Sequence, residues 1–443
     1  MTVDPAVVEP GGTTGRYLVV FEDEGAQIGA AALTDAAGIG VAHVSDADDA
    51  VLTDDMRESD AIVFDRLGVA VVKAAPDQVE RLGIAAAETD AISFIEPERI
   101  VYALEFAGYG IVPPRAAGGS LSGEYLRGYS EAVANLASAA GSVSAPGTPT
   151  ATAAAPAVDE ARVTWGLQAT GAATSMYTGG GVGVAVLDTG FDLNHPDFAD
   201  RTVTSASFVA GEEVQDANGH GTHCVGTACG PRAPGDPPRY GVATESDIHV
   251  GKVLANSGRG QDADILAGIE WAISHGCRVT SMSLGAPTQP GQPHSRAFEN
   301  AAQRAIANGT LIVAAAGNDS RRDVGMVRPV SHPANCPSIM AVAALDSGLQ
   351  VASFSNQGSG GTGGQIDIAA PGVAVHSSWP MPLRYKTISG TSMATPHVAG
   401  LAALFAESAP NATPNELAGL LMRHARRLSL SCADVGAGLA QAP

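Results

Sequence analysis

The fold of this chain is constrained most by a series of short apolar, strand-like segments separated by stretches with helical periodicity. These segments are 182–187, 250–254, 279–284 and 311–316. The first of them is apolar on both faces and must be buried on both, and parallel strands need the crossover connections that helices supply. From residue 158 onward we therefore predict an α/β fold, with a parallel sheet covered by helices on both faces.

Helices are predicted between the strands of this sheet, and polar residues follow several of the strands at their carboxyl ends. A helix predicted to start at Asp262 carries Ile265, Ile269 and Ala272 at helical spacing, and residues 295–307 form the next predicted helix. In sheets of this kind, ligands bind at the carboxyl ends of the strands. The segments that stand at such ends are Asp188, Ser283-Leu284-Gly285 and Asn318.

An N-terminal stretch, 16–104, has its own order of strand, helix, strand, strand, helix and strand. This order predicts a small ferredoxin-like α+β domain. The predicted elements are a strand at 17–21, a helix at 26–37, a short strand at 41–45, one bent or broken strand made of 61–64 and 69–72, a helix from Pro76 and a strand at 92–104. No catalytic group of side chains stands out in this domain, so we expect it to bind something.

The remaining segments are a tail and a linker. Residues 1–15 are predicted to be an N-terminal tail, and residues 105–157 a linker, because 144–156 consists of small residues punctuated by proline. Within the linker, 125–140 has the composition of a helix. The predicted domain boundaries are therefore 16–104 for the small domain and 158–443 for the large one.

The charge balance excludes some classes of partner. Lys+Arg 25 against Asp+Glu 46 gives a formal net charge of −21, which repels nucleic acids and anionic lipids. No apolar run reaches the ~20 residues of a membrane span, and residues 1–15 do not read as a signal peptide. Five cysteines at scattered positions form no zinc pattern, and because their number is odd at least one is unpaired within the chain.

Four residues together supply what amide hydrolysis needs: a nucleophile, a base, a group that orients the base, and an oxyanion donor. Ser392 is the candidate nucleophile and His220, between two glycines that leave one edge of its ring open, is the candidate base. Asp188, expected to be half-buried at a strand end, would orient the base, and Asn318 would face the oxyanion.

The surroundings of Ser392 place it at the start of a helix. Gly390 permits a tight turn, Pro396 is compatible with a first helical turn, and apolar residues follow at helical spacing. The N–H groups and dipole of a helix N-terminus favour a developing negative charge. Taken singly, these residues also have simpler explanations: Ser392 as a helix cap, Asp188 and Asn318 as turn residues, and His220 as a solvated loop residue. His220 with His223 and Cys224 could also suggest a metal site.

The motifs around these residues carry a resemblance to a known family. They are 186–190 (VLDTG), 220–224 (HGTHC), 283–285 (SLG), 314–318 (AAAGN), 354–356 (FSN), 370–372 (APG) and 390–397 (GTSMATPH). In sequence and in their Asp, His, Ser order they resemble the subtilisin family of serine proteases, in its proteinase K-like branch. The resemblance covers about 163–442 and implies a subtilisin-like fold with serine endopeptidase activity.

The resemblance also implies roles for individual residues. Ser392 would attack the scissile carbonyl, His220 would transfer the proton, Asp188 would orient His220, and Asn318 would bind the oxyanion. Substrate would add as a strand along Ser283, Leu284 and Gly285. The small walls of a broad, apolar-leaning specificity pocket would be Ala314, Ala315 and Ala316.

By the same resemblance, residues 16–104 are expected to be a propeptide that assists folding and then inhibits the cleft with its last strand. Processing is expected near Leu104–Glu105 or later in the linker. No cofactor is implied for the chemistry, whereas a structural calcium ion at Asp197 is left open. We expect a monomer acting on protein or peptide substrates, with a catalytically silent peptide-binding homologue as the alternative. The family is mostly exported, yet no signal peptide is predicted, so the compartment is left open.

Overall fold

The computed structural model of the protein describes residues 12–22, 26–46, 52–88, 91–105, 160–359 and 363–443. The predicted helix at 125–140 and all of the predicted linker except Glu105 lie outside these residues, as does most of the predicted tail. The described parts of 1–106 and 159–443 form one compact unit.

The N-terminal domain is a small α+β domain, as predicted, but it has one short helix and one strand more than the predicted order. Its elements are β1 (Thr13–Phe21), α1 (Ala26–Ala37), β2 (Val41–His43), α2 (Asp54–Glu58), β3 (Ala61–Phe64), β4 (Val69–Val72), α3 (Pro76–Glu88) and β5 (Ile92–Ala103). The strands lie in the order β5-β1-β4-β3-β2, with antiparallel neighbours except for β2, a short edge strand parallel to β3.

One prediction for this domain is wrong. Segments 61–64 and 69–72 are not one bent strand but the two arms of a hairpin, in which Ala61 pairs with Val72 and Phe64 with Val69. Gly68 adopts a φ of +60° in the connection, a conformation that glycine tolerates without strain. Both arms are fully apolar, so alternation along the sequence could not reveal the turn between them.

The large domain contains the remaining elements of the described chain. The strands are β6 (Gly183–Asp188), β7 (Val203–Ser207), β8 (Asp247–Lys252), β9 (Arg259–Gln261), β10 (Val279–Met282), β11 (Leu284–Gly285), β12 (Leu311–Ala315), β13 (Met340–Leu345), β14 (Ile368–Pro371), β15 (Val375–Ser378) and β16 (Tyr385–Ile388). The helices are α4 (Trp165–Ala169), α5 (His220–Cys229), α6 (Asp262–Ser274), α7 (Arg296–Ala307), α8 (Thr391–Ser408), α9 (Pro414–His424) and α10 (Cys432–Val435).

The central sheet of the large domain confirms the predicted parallel architecture. Its order is β14-β13-β12-β10-β6-β8-β7, and each neighbouring pair is parallel. Along β6, Val184 and Val186 enter one hydrophobic core with residues of α5 and α8. Ala185 and Leu187 enter a second core with residues of α6 and α7. The sheet is therefore buried on both faces, as the apolar strands require.

The two domains share one of these cores. Val19 and Phe21 of β1 pack with Leu33 and Leu82 from the helices of the N-terminal domain. The alternate residues of the same sheet, such as Leu18, join the core formed by α6 and α7. The N-terminal sheet thus buries its second face against the large domain, and β5 continues into the larger domain as a strand between β9 and β11.

The cysteines agree with the expectation from their odd number. The described residues include every cysteine of the chain, and none is disulfide-bonded; Cys224, Cys229, Cys277 and Cys336 are buried and Cys432 is exposed. Among the described helices, none is both long and apolar enough to cross a membrane.

Candidate active site

Asp188 is the last residue of β6 and lies at the carboxyl edge of the sheet, where it was predicted. It was expected to be half-buried, but it is fully buried. One carboxylate oxygen accepts a 2.7 Å hydrogen bond from the Thr189 N–H. Burying an ionised carboxylate costs free energy unless the carboxylate is hydrogen-bonded. The hydrogen-bond partners of Asp188 therefore determine whether it can remain charged.

His220 is the first residue of α5, although the glycines around it suggested a loop. The backbone of Gly219 has a φ of +105°, which glycine adopts readily. A Cβ on Gly221 would lie 2.2 Å from the carbonyl oxygen of Gly190. Glycine at 221 therefore lets the helix pack directly on the turn that follows Asp188. The imidazole is buried and not open at one edge as predicted.

Asp216 holds this helix start in place and was missed in the sequence. Its carboxylate accepts hydrogen bonds from the N–H of Gly219 at 2.8 Å and from the hydroxyl of Thr189 at 3.0 Å. It also accepts from the N–H and hydroxyl of Thr222, at 2.9 and 2.7 Å. Because Asp216 stands three residues before the N-cap Gly219 and not at the N-cap itself, the usual helix-start pattern does not point to it.

Asp188 and His220 form a close pair. The Nδ1 atom of His220 lies 2.7 Å from Oδ1 of Asp188. Burial lowers the pKa of the imidazole, but the Asp188 carboxylate and the neighbouring Cys224 together raise it more, so the pKa of His220 lies well above its ordinary value. The other ring nitrogen, Nε2, has no hydrogen-bond partner among the described residues. The pair can therefore hold a proton at Nδ1 while Nε2 is available to accept one.

The alternative metal site on His220, His223 and Cys224 does not fit the side chains. His223 Nε2 lies 3.0 Å from the carbonyl of Val375, and burial lowers the pKa of His223 to about 3. Cys224 Sγ lies 3.9 Å from His220 Nδ1, yet burial and the Asp188 charge raise the pKa of this thiol to about 11. The ligand atoms that come within 4.8 Å of one another belong to Asp188, His220 and Cys224, and His223 is not among them.

Ser392 is the second residue of α8, and its predicted place at a helix N-terminus is confirmed. Its side chain is not a helix cap, because Oγ donates a 2.9 Å hydrogen bond to the carbonyl of Ser283. The hydroxyl and the free Nε2 of His220 are thus not hydrogen-bonded to each other in this arrangement. A rotation of the hydroxyl away from Ser283 would be needed before proton transfer.

Pro396 lies in the second turn of α8, so the prediction that it belongs to the first turn is wrong. Proline has no N–H with which to bond the carbonyl four residues earlier, which is that of Ser392. This carbonyl instead accepts hydrogen bonds from Ser283 Oγ at 2.8 Å and from Cys224 Sγ at 3.6 Å. Ser283 therefore contacts Ser392 through both its hydroxyl and its carbonyl.

Asn318 presents its side-chain nitrogen as a donor. Its Oδ1 accepts hydrogen bonds from both the N–H and the hydroxyl of Thr391, each at 2.9 Å. The amide is thereby oriented with Nδ2 as the free donor, and Nδ2 donates to the carbonyl oxygen of Leu104. Thr391 was not singled out from the sequence, although it stands directly before Ser392.

The predicted substrate segment is paired with the chain's own N-terminal domain. Leu284 pairs with Ala103 and Gly285 with Tyr102 in antiparallel register. The Leu104 N–H donates to the Ser283 carbonyl at 3.2 Å. β5 also pairs with β9 along its other edge. The end of β5 is therefore held between β9 and β11. The chain's own β5 is therefore added as a strand along the segment at which substrate was predicted to bind.

The predicted pocket walls Ala314, Ala315 and Ala316 are fully buried around the end of β12. Their role in a specificity pocket stays a prediction. The Leu104 side chain is 8% exposed, and a Cβ on Gly285 would lie 3.1 Å from its Cδ1. Gly285 therefore borders the space that the Leu104 side chain occupies.

The surroundings of Asp197 do not fit the calcium site that was left open. Its oxygens accept hydrogen bonds from the hydroxyls of Tyr240 at 2.6 Å and Tyr385 at 3.0 Å, and from the Gly235 N–H at 2.9 Å. Calcium needs six to eight oxygen ligands with lone pairs directed at the ion. Here the neighbours direct hydrogens at the carboxylate, so Asp197 is the centre of a hydrogen-bonded cluster.

Comparisons with known proteins agree with this geometry. Residues 179–438 match the subtilase family model, Peptidase_S8. Subtilisin of Bacillus pumilus is 43% identical over 239 residues, which cover 54% of this chain and 81% of the relative. Subtilisin DY of Bacillus licheniformis is 39% identical over 253 residues, 57% of this chain and 86% of the relative.

The family match covers the large domain only, so it carries no information about residues 12–105. The narrower resemblance to proteinase K-like enzymes stays a prediction. The matched segment includes Asp188, His220, Asn318 and Ser392. The chain is a hydrolase that acts on protein or peptide substrates. It belongs to the subtilase family of serine endopeptidases.

Proposed function

We propose that this endopeptidase is made as a self-inhibited zymogen, with Asp188, His220 and Ser392 as its catalytic residues and Asn318 as an oxyanion donor. The observation that carries the proposal is the contact between Asn318 Nδ2 and the Leu104 carbonyl oxygen. It has the geometry of a substrate carbonyl at an oxyanion site, and it is made by the chain's own N-terminal domain.

The proposed chemistry uses the atoms described above. Ser392 Oγ bonds to the scissile carbonyl carbon while its proton passes to Nε2 of His220. Asp188 holds Nδ1 and stabilises the imidazolium that forms. The oxyanion accepts hydrogen bonds from Asn318 Nδ2 and from the Ser392 N–H, one of the unbonded N–H groups at the helix start. His220 then donates its proton to the leaving amine, and water removes the acyl group by the same steps.

The strand in the cleft also supports an apolar preference. Along β5 the side chain of Val101 is fully buried and that of Tyr102 is 39% exposed. Leu104, whose carbonyl contacts Asn318, is buried again. Because buried side chains of an added strand fill pockets, and Val101 and Leu104 are both buried, substrates with an apolar residue before the cut bond, and another three residues earlier, are expected to be preferred.

Three carboxylates fasten the N-terminal domain to the helices of the large domain. Glu98 is fully buried, receives two 2.7 Å hydrogen bonds from Arg16 and accepts a 2.9 Å bond from the Ala263 N–H at the start of α6. In the same way Glu96 accepts from the Ala297 N–H at the start of α7, at 3.1 Å. The third carboxylate belongs to the large domain: Asp262 of α6 accepts a 2.9 Å hydrogen bond from the Arg99 N–H of the N-terminal domain. Carboxylates at helix N-termini are favourable, so these contacts support an inhibitory role.

Replacing Glu98 by alanine is expected to weaken inhibition by the N-terminal domain about 30-fold or more, because Arg16 and the α6 terminus lose a buried charged partner. The measurement is peptide hydrolysis by the cut protein as a function of its concentration. Asp77→Ala serves as the control, since Asp77 pairs only with Arg81 on the exposed face of α3. Equal inhibition in the two variants would contradict the docking role of Glu98.

Replacing Asn318 by leucine is expected to lower kcat about 10²–10³-fold with little change in KM, the loss found when the oxyanion amide of subtilisin is removed. Asn415→Leu, at an exposed position on α9, should leave kcat unchanged. A similar kcat for the Asn318 variant and the wild type would remove Asn318 from the oxyanion site.

The proposal as a whole is tested by following the N-terminus and the activity together. The full-length chain is incubated after purification and sampled for N-terminal sequence and for hydrolysis of a peptide amide. Activity is expected to appear only after the original N-terminus gives way to one at Glu105 or further into 106–157. Full activity in a population that still begins at Met1 or Thr2 would refute the zymogen.

A further inference from the structure

We infer that Lys386 is a specificity-determining residue that selects an acidic side chain directly after the cut bond. The inference rests on the proposed function, because it takes the Leu104 carbonyl as the position of the scissile carbonyl. Glu105 then stands on the leaving-group side. Its Oε1 lies 3.8 Å from Nζ of Lys386, and the two side chains are 32% and 39% exposed.

Lys386 is held in position by an aromatic ring next to the catalytic histidine. Its Nζ lies 3.9 Å from the centroid of Trp379, within the range of a cation–π interaction. Trp379 in turn packs on Gly219, the residue before His220, where a Cβ would lie 2.3 Å from the ring. Because the ring fixes the lysine, less conformational entropy is lost when a carboxylate binds.

The neighbouring cations are engaged elsewhere. Arg384, two residues earlier, pairs with Asp236 at 3.0 Å. Lys252 is fully buried and pairs with Glu212 at 3.2 Å. Lys386 therefore offers an accessible positive charge beside the leaving-group side of the cleft. The chain has a net charge of −21, so its long-range field repels acidic substrates. The positive charge of Lys386 can therefore favour an acidic residue only at short range.

The test compares two quenched peptides that contain Val-Tyr-Ala-Leu followed by Glu or by Gln. Wild-type enzyme matured from the full-length chain is expected to have a kcat/KM about threefold higher for the Glu peptide at low salt, the effect of one partly exposed ion pair. Lys386→Gln should bring the ratio to about one, and Lys386→Glu should invert it. In 1 M salt, where screening acts over about 3 Å, the wild-type ratio should also fall towards one.

Arg423→Gln is the matched control, because it removes one positive charge from the exposed surface of α9 and should keep the wild-type ratio. Equal kcat/KM values for the two peptides in the wild type, or an unchanged ratio in Lys386→Gln, would overturn the inference while leaving the proposed function intact. If neither peptide is cut by the wild type, the proposed function fails and the inference fails with it.

Discussion

Replacing Ser392 by alanine is expected to lower the rate of peptide hydrolysis about 10⁶-fold, the size found for the nucleophile of subtilisin. The variant should also remain a single uncut chain, because we propose that the first substrate is its own Leu104–Glu105 segment. The physical reason is that the Ser392 hydroxyl, at the start of α8, donates only a reversible bond to the Ser283 carbonyl, whereas the neighbouring Thr391 hydroxyl is engaged by the Asn318 side chain. The rate of appearance of a new N-terminus, followed by mass spectrometry, measures this directly.

Ser408→Ala is the matched control, because Ser408 lies at the other end of the same helix, where its hydroxyl donates to the Phe405 carbonyl. This variant should cut itself at the wild-type rate. A trace of wild-type enzyme should cut the Ser392→Ala chain, which would show that its cleavage site is intact. Self-cutting by purified Ser392→Ala would contradict the proposed nucleophile.

Replacing Asp188 by asparagine is expected to slow self-cutting about 10⁴-fold, because the amide no longer holds His220 in the right tautomer or stabilises its cation. The pH dependence should change as well. In the wild type, Asp188 raises the pKa of His220, so the neutral base is lost as the pH falls through that raised pKa. Without the carboxylate, burial alone lowers the pKa, and the residual rate should persist to more acid pH.

The measurement is the first-order rate constant of self-cutting against pH, which requires no added protease. Asp200→Asn provides a control, since Asp200 is an exposed carboxylate of the same domain. An acid limb at the same pH in the Asp188 variant and the wild type would mean that Asp188 does not set the pKa of His220.

Much of the large domain could be predicted from local sequence. The apolar β6 with Asp188 at its end, and the helix that begins beside Ser392, follow from periodicity and from the residues that start helices. The covered parallel sheet follows from strands that cannot face water. These features depend on neighbours along the chain, which is why sequence patterns describe them.

Features that depend on distant contacts could not be predicted in this way. The Asn318–Leu104 hydrogen bond joins residues 214 positions apart, and nothing in either segment specifies the other. The burial of Asp188 and His220 likewise reflects packing of segments far apart in the chain. The free Ser392 carbonyl is a local effect of Pro396, but its partners Ser283 and Cys224 come from other elements.

The central claim is that Ser392, activated by His220 and covered by the chain's own N-terminal strand, is the nucleophile. The most direct test is to treat the full-length and the self-cut protein with a fluorophosphonate and to locate the adduct by peptide mass spectrometry. We expect one adduct, on Ser392, in the self-cut protein, none in the uncut chain and none in His220→Ala. An adduct on another residue of an active preparation, or equal labelling of the uncut chain, would contradict this account.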